Sequence, residues 1–600
     1  MRNAETVLGI IQERGKRGLP LEDIYRQLFN PDLYLRAYAR LYSNKGAMSK
    51  GTTSETVDGM SLKKIEAIID ALRHERYRWT PVRRVYIPKK NGKQRPLGVP
   101  TWSDKLLQGV IRLILEAYYE PQMSDHSHGF RPERGCHTAL MEIKHTWTGT
   151  IWFIEGDISG CFDNIDHDIL LSILKERLHD ARFIRLLEGL LKAGYLEEWK
   201  YHSTLSGTPQ GGVVSPILAN IYLHQLDHFV ETVLLPAFNR KEERTRNAAY
   251  RKLEHRIGRL KHQEGTRREI TKLKRQRRNL PARDPFDADY RRLRYVRYAD
   301  DFLLGFAGPK AEAEEIRDCL KQFLRDTLKL ELSQEKTLIT HARTSAARFL
   351  GYEIATCHAD DKLTATKWSR NVNGRIELRV PIKVIEDHCA RYMAHGKPTH
   401  RMELTHLSDF AIVEQYQWKY RGLVQYYALA VNIAWLNKLR WVMRTSLLKT
   451  LARKHKSSVS VMAQQYQSTT ETPYGPMTCL EVKLDRGPEK KPLIARFGGI
   501  PLRRQEQAIL TDSPPFPVVT PRNEVVKRLL RNTCEICGSK ENISVHHIRA
   551  LKDLTRKGRR EKPVWVQVMA AMRRKTLVVC AECHWAIHTG TPTRPPIQGH

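Results

Sequence analysis

The 600-residue chain carries 101 Lys and Arg against 66 Asp and Glu, a formal charge of +35, which points to a polyanionic partner, nucleic acid before an anionic membrane. Its most apolar stretch, residues 422–436, falls short of a span of about 20 residues and carries Gln425 and Asn432, so no membrane crossing is expected. The N-terminus has neither the apolar run nor the cleavage site of a secretory signal, and the 10 cysteines read as six scattered thiols plus two close pairs: a reduced, intracellular chain with a metal site.

Residues 1–80 read mainly as helices; in "LEDIYRQLFNPDLYLRAYARLY" aromatic and aliphatic residues recur at helical spacing. Residues 82–235 mix strands and helices. Within them "WFIEGDISGCFDNIDHDIL" predicts an apolar strand ending at Asp157, a tight segment at Gly160, and a helix with Ile169, Leu170, Ile173 and Leu174 on one face. From residue 240 to 283 there are 17 Lys and Arg against 5 Glu with little apolar periodicity, a basic insertion that is helical or partly disordered. In "RYVRYADDFLLGF" (294–306) Val296, Tyr298, Phe302, Leu304 and Phe306 alternate as half-buried strands do, so Ala299, Asp300 and Asp301 are the turn of a hairpin. Residues 375–465 read as helical, with aromatic and basic residues interleaved; Trp418, Tyr426 and Trp435 are expected in the core, and Lys419, Arg421, Lys438 and Arg440 on an RNA-facing surface. The Pro- and Gly-rich stretch 470–525 is expected to be loop-rich and to end in a linker near Pro521.

Two adjacent carboxylates repel unless something positive holds them. Asp157, Asp300 and Asp301 brought together at the ends of neighbouring strands would form an oxygen cluster suited to Mg²⁺, and a pair of such ions serves in-line phosphoryl displacement. At the C-terminus, Cys534 and Cys537 with Cys580 and Cys583 make two CxxC pairs, the donor set of a closed, structural Zn²⁺ site. His546 and His547 precede the second pair, while His584 and His588 follow it one helical turn apart.

Seven blocks in fixed order resemble the group II intron type of reverse transcriptase, and the resemblance covers nearly the whole chain. They are "RRVYIPKKNGKQRPLGVPTWSDKLLQ" (83–108), "HSHGFRPERGCHTAL" (126–140), "GDISGCFDNIDH", "GTPQGGVVSPILANIYLHQLD" (207–227), "YADD", "LSQEKT" (332–337) and "ARFLGYEI" (347–354). The resemblance implies a multidomain α+β chain with right-hand polymerase fingers and palm, an α-helical thumb or maturase domain and a small zinc-stabilised ββα HNH domain. The domains implied are 1–80 (N-terminal helical extension of the fingers), 81–365 (fingers and palm, with the basic insertion at 236–290), 366–465 (thumb, maturase), 466–530 (DNA-binding region and linker) and 531–600 (HNH endonuclease).

The same resemblance implies residue roles. Asp157 and Asp300 bridge two Mg²⁺ and Asp301 completes the cluster. Phe162 is either the bulky gate against a 2′-hydroxyl or a core aromatic. Gln210 lies against the incoming nucleotide, Lys93 and Arg95 hold its triphosphate, and Lys336 neutralises pyrophosphate. Phe349–Tyr352 (349–352) resembles the strand pair under the primer end. In the HNH motif, His546, His584 and His588 face a further divalent ion, expected to be Mg²⁺, and His547 is the general base. The motif's middle Asn falls at Lys575 here, which leaves a zinc-stapled DNA-binding module as the alternative to a nuclease.

The expected protein copies intron RNA into DNA, assists splicing and nicks target DNA; the competing reading is a non-catalytic RNA-binding maturase on a polymerase scaffold. Its expected partners are group II intron RNA, target DNA and dNTPs, with no membrane. Monomer and homodimer are both open. A bacterial cytoplasm is the expected location, and an organelle would also fit.

Overall fold

The computed structural model describes residues 3–591 apart from 45, 89–91, 93, 198–199, 203–205, 208–210, 286, 360–371, 486–491, 508–509, 511–522, 552–553, 555–562 and 573. Lys93 and Gln210 therefore lie outside the described residues.

The helix Trp102–Tyr119 organises the N-terminal part. Thr101 caps it by accepting the Asp104 amide, and it is apolar on nearly every face, as a helix enclosed by others must be. The helices Ala4–Lys16 and Pro31–Leu41 pack on it. Beside it stands a small sheet in which Val82–Pro88 pairs antiparallel with Gln94–Val99 and parallel with Tyr195–Glu197.

The central sheet has the spatial order 292–298, 301–307, 152–157, 338–341, antiparallel throughout. Both of its faces are covered. Ile154, Phe302, Leu304 and Phe306 join the core of the N-terminal helices. Phe153, Val296 and Leu303, pointing the other way, join the core of the thumb helices. Gly156 is obligatory in the middle strand, because a Cβ there would lie 2.1 Å from the Phe302 ring.

Four expectations are refined. The basic insertion is two packed helices, Ala248–Leu260 and Arg267–Arg278, each burying one aliphatic residue, Ile257 and Leu273. The thumb segment starts on a strand, Ile376–Arg379, before its helices Asp409–Tyr426 and Leu436–Lys454. The stretch read as loop-rich holds a three-stranded antiparallel sheet, Gln467–Thr472, Gly475–Leu484 and Leu493–Gly498. Its Pro473 and Gly475 are hairpin punctuation, and Thr472 sits opposite Gly475 across the turn. Finally, Trp418 and Trp435 are 63% and 51% exposed, so the core assignment fails for both; the inner face of the thumb is made by Tyr416, Tyr420 and aliphatic residues instead. Tyr426 is partly buried, as expected, and donates its hydroxyl to the Leu350 carbonyl.

Candidate active site

The first site lies at one end of the central sheet. Asp157 ends its strand directly opposite Asp301, and Tyr298 faces Asp301 across a two-residue turn made of Ala299 and Asp300. Ala299 takes the left-handed conformation, φ +56°, which turns the chain tightly enough to set Asp300 beside Asp157. The Ile158 amide donates to the Asp300 carbonyl at 3.4 Å. Sequence-distant carboxylates thus converge on one point.

Their electrostatics are those of a cluster that wants cations. Burial raises the Asp300 carboxyl, and Asp157 adds to the rise. Asp301 is pushed up to about 7, by burial first, then by its side-chain contact with Asp157 and by the charge of Asp300. Among the described residues Lys336 meets them directly: its Nζ lies 2.9 and 2.8 Å from the two Asp157 oxygens and is itself raised by that contact. Lys336 is placed by backbone: Ser333 donates its amide to the Asp157 carbonyl at 2.8 Å, and Ser159 to the Glu331 carbonyl. Three converging carboxylates, with the proton affinity of Asp300 and Asp301 raised, and one lysine match hard divalent cations with oxygen donors.

The neighbouring expected residues gather here too. Phe162 follows Gly160, a left-handed glycine, on the short helix Cys161–Asn164 and meets the Phe130 ring edge-on at 6.3 Å. It is partly buried against the core rather than within it. Arg95, exposed on Gln94–Val99, is close enough to lower the proton affinity of Asp300. Gly211 abuts the same strand: a Cβ on it would come within 2.8 Å of the Gly98 carbonyl. The Phe349–Tyr352 turn uses Leu350 and Gly351, both left-handed, and is held by the Tyr426 and Tyr427 hydroxyls at 2.7 and 2.9 Å.

Sequence reasoning missed the support behind the turn. Arg297 is wholly buried; its Nε and one terminal nitrogen donate to both oxygens of Asp227, equally buried, at 2.7 and 2.6 Å. Its other terminal nitrogen donates to the Ala299 carbonyl at 2.8 Å. Burial opposes charge on both groups, but their mutual attraction outweighs it and lowers the Asp227 carboxyl. The clue was an arginine between Val296 and Tyr298, inside a strand with few solvent-facing positions.

The second site is C-terminal. Ser544–His547 and Thr576–Val579 pair antiparallel, with Ser544 opposite Val579 and His547 opposite Thr576, and the helix Ala581–Thr589 closes a ββα unit. His546 and His547 lie within the first strand. Cys534, Cys537, Cys580 and Cys583 are all buried with their sulfur atoms within 4.8 Å of one another, the arrangement a tetrahedral Zn²⁺ requires. His546, His584 and His588 converge as expected, but with an unexpected companion, Asp58. Three imidazoles and a carboxylate suit a first-row transition ion better than the Mg²⁺ expected there. His547 is buried against the fingers; the Tyr38 hydroxyl lies 2.9 Å from its Nε2, and burial pushes its imidazole down to about 3. Lys575, at the position of the motif's Asn, is exposed and offers its carbonyl to the Ile548 amide.

Among the described residues no helix is long and apolar enough to cross a membrane. Residues 87–245 and 270–354 match the reverse transcriptase (RNA-dependent DNA polymerase) family, and the gap between them falls in the basic insertion. Residues 373–472 match the type II intron maturase family, and residues 534–584 the AI2M/AI1M-like HNH endonuclease family. The chain is 41% identical over 583 residues to the group II intron-encoded protein LtrA of Lactococcus lactis subsp. cremoris, covering 94% of each. It is 33% identical to the putative COX1/OXI3 intron 1 protein of Saccharomyces cerevisiae, over 93% of this chain and 68% of that one. A 24% identical match to nuclear intron maturase 1, mitochondrial, of Arabidopsis thaliana covers 40% of this chain.

Proposed function

The chain belongs to the group II intron-encoded proteins, which join reverse transcriptase, intron maturase and HNH endonuclease in one polypeptide, and on that premise we propose how its residues divide the work. It is an RNA-directed DNA polymerase of the multifunctional, intron-encoded kind. The observation that carries the assignment of the polymerase site is the register that sets Asp157 against Asp301 with Asp300 in the adjoining turn.

Asp157, Asp300 and Asp301 would hold two Mg²⁺, which when bound supply a more acidic 3′-hydroxyl and charge neutralisation for the departing pyrophosphate. The rest falls to the chain. Phe162, against Phe130, presents a ring edge where a 2′-hydroxyl would crowd it, and so favours dNTPs. Arg95 and Lys93 bind triphosphate oxygens, and Gln210 lies along the nucleotide. Lys336 holds the Asp157 carboxylate in place, and its charge would help neutralise pyrophosphate. The turn at Leu350 and Gly351 supports the primer end. Exposed Trp418, Trp435 and Trp441, with Arg421 over the Trp418 ring at 6.0 Å, offer stacking and charge to intron RNA.

In the nuclease module the four cysteines would hold a structural Zn²⁺. His546, His584 and His588 would hold the divalent ion whose Lewis acidity serves phosphodiester cleavage, and His547 would accept a proton from the attacking water. Target DNA is the substrate of this module, and its nick supplies the 3′-OH for copying. The bacterial relative LtrA favours a cytoplasmic location.

The deciding experiment is Asp300→Ala, assayed for both primer extension and intron splicing. Extension is expected to vanish while splicing assistance persists, because the acids hold metal and not intron helices. Equal loss of both would reject the division; full extension would reject the site.

A further inference from the structure

The histidine cluster of the nuclease module is closed by a residue from the other end of the chain. Asp58 lies in the loop before the helix Leu62–Arg73, nearly 500 residues from the module. Its Oδ1 stands 3.2 Å from His546 Nδ1 and 3.2 Å from His584 Nε2, and its Oδ2 stands 2.8 Å from His588 Nε2. The four donor atoms lie within 4.8 Å of one another. Donors about 2.0–2.2 Å from a shared ion stand roughly 3–4 Å apart, so the Asp58 contacts to the three imidazoles are already near coordination spacing. His546 adds a second, independent sign: it is only 4% exposed, yet neither of its ring nitrogens has a hydrogen bond of acceptable geometry among the described residues. A buried imidazole whose Asp58 neighbour at 3.2 Å is not aligned for a hydrogen bond is costly unless a metal ion joins the two.

The surrounding contacts fix Asp58 in that position. The segment carrying it extends the module's hairpin: the Gly59 amide donates to the Val545 carbonyl at 3.0 Å, and the Val545 amide to the Met60 carbonyl at 2.9 Å. The His547 amide donates to Asp58 Oδ1 at 2.8 Å, and Lys63 Nζ reaches Asn542 Oδ1 at 2.6 Å. The same docking covers His547, whose ring is packed against Tyr38 and Tyr42 of the fingers and is 4% exposed. A general base so enclosed has no access to water or to a DNA strand.

We propose that Asp58 is a fourth ligand of the nuclease-module metal ion, so that one divalent transition ion clasps the module to the fingers and holds the nuclease shut. Catalytic sites of this kind keep a coordination position open, whereas structural ones are closed by four protein donors. With Asp58 in place the site is closed and His547 is covered; when the module leaves the fingers, both restraints go together. The inference rests on the reading of His546, His584 and His588 as metal ligands.

The test uses the full chain with Zn²⁺ on the cysteines, titrated with Co²⁺ while its visible absorption is followed, in wild type, Asp58→Ala, Asp58→Asn and His588→Ala. Wild type is expected to show the intense band of four-coordinate Co²⁺. Both Asp58 variants and His588→Ala are expected to bind at least about 10–100-fold more weakly, the loss that even an outer partner of a metal ligand produces. Hydrogen exchange at the Gly59 and Val545 amides should slow on metal addition in wild type and not in Asp58→Ala, whose nicking rate at saturating metal should rise. Weakening by His588→Ala alone overturns the role of Asp58 and leaves the nuclease metal standing. Unchanged binding in every variant removes both readings. A weak, six-coordinate band in wild type overturns the clasp without recourse to any variant.

Discussion

The buried Arg297–Asp227 pair gives the sharpest test of how the polymerase site is held. Replacing Asp227 by Asn leaves a guanidinium in the interior without its counter-charge, and breaking a buried pair in this way costs about 3–5 kcal/mol. The same guanidinium donates to the Ala299 carbonyl, and Ala299 sits at φ +56°, a conformation that costs a non-glycine residue about 1–2 kcal/mol. A hydrogen bond from a charged donor contributes about 1.5–3 kcal/mol, enough to hold that turn; without it the turn relaxes and Asp300 moves. Displacement of a reacting group by about 1 Å costs on the order of 10²-fold in rate. Asp227→Asn is therefore expected to lower both the unfolding midpoint of the palm and the primer-extension rate.

The informative variant replaces the charged centre of the network with apolar groups: Arg297→Met, Asp227→Leu and Tyr295→Phe, the last because the Tyr295 hydroxyl donates to Asp227 at 2.8 Å. Buried pairs exchanged for well-packed apolar residues often lose no stability. Thermal unfolding should thus recover toward wild type, while extension by single-turnover assay stays down by about 10²-fold, because nothing holds the Ala299 carbonyl. If activity returned together with stability, the network would be a packing feature and its link to the turn would be refuted.

Three other outcomes are expected. Trp418→Ala and Trp435→Ala should each weaken intron RNA binding by about 1–3 kcal/mol with little change in unfolding temperature, since both rings are exposed; a filter-binding titration should also lose roughly 10³–10⁵ in affinity between 50 and 200 mM salt. Phe162→Val should raise incorporation of ribonucleotides relative to deoxynucleotides in a competition assay, with extension retained. Stability should depend on pH through His126 and Glu142: the hydrogen bond to Glu142 raises the imidazole above 6.5, so its contribution is complete at lower pH and is lost as pH rises through the raised value. Burial pushes Glu142 up, but His126 and His128 outweigh it and hold the carboxyl below 4.5, so its contribution is lost as pH falls; His126→Ala should flatten the alkaline side of the stability profile.

The carboxylate cluster was legible because its chemistry is local in sequence at each contributor. An apolar strand ending in Asp157 and an alternating hairpin around Asp300 each announce themselves, and block order supplies the pairing that spacing alone does not. The thiolates of Cys534, Cys537, Cys580 and Cys583 were legible for the same reason. Asp58 was not: a single acid in "TVDGM" has no local pattern, and its meaning comes only from a strand 488 residues away that pairs with its neighbours. Arg297 was concealed by the habit of reading charge as surface. The sheet at 467–498 was concealed by the turn residues at its hairpin, which dominate the composition of short strands. Trp418 and Trp435 were misread because helical spacing tells which residues share a face but not whether that face meets protein or RNA.

The three metal-binding groups differ in a way that assigns each its work. The palm offers carboxylate oxygens alone, a set that binds hard ions weakly and exchangeably, as an ion shared with an arriving nucleotide and a departing pyrophosphate must be. Four buried thiols at this spacing would hold an ion as part of the fold and release it only on unfolding. The histidine group with Asp58 is intermediate: its imidazoles belong to one domain and its carboxylate to another, so its occupancy depends on whether the two domains touch. Affinity at such a site is coupled to docking, and by linkage the ion favours docking as much as docking favours the ion. A nuclease held shut through that one shared carboxylate would respond to whether its module is docked on the N-terminal helices.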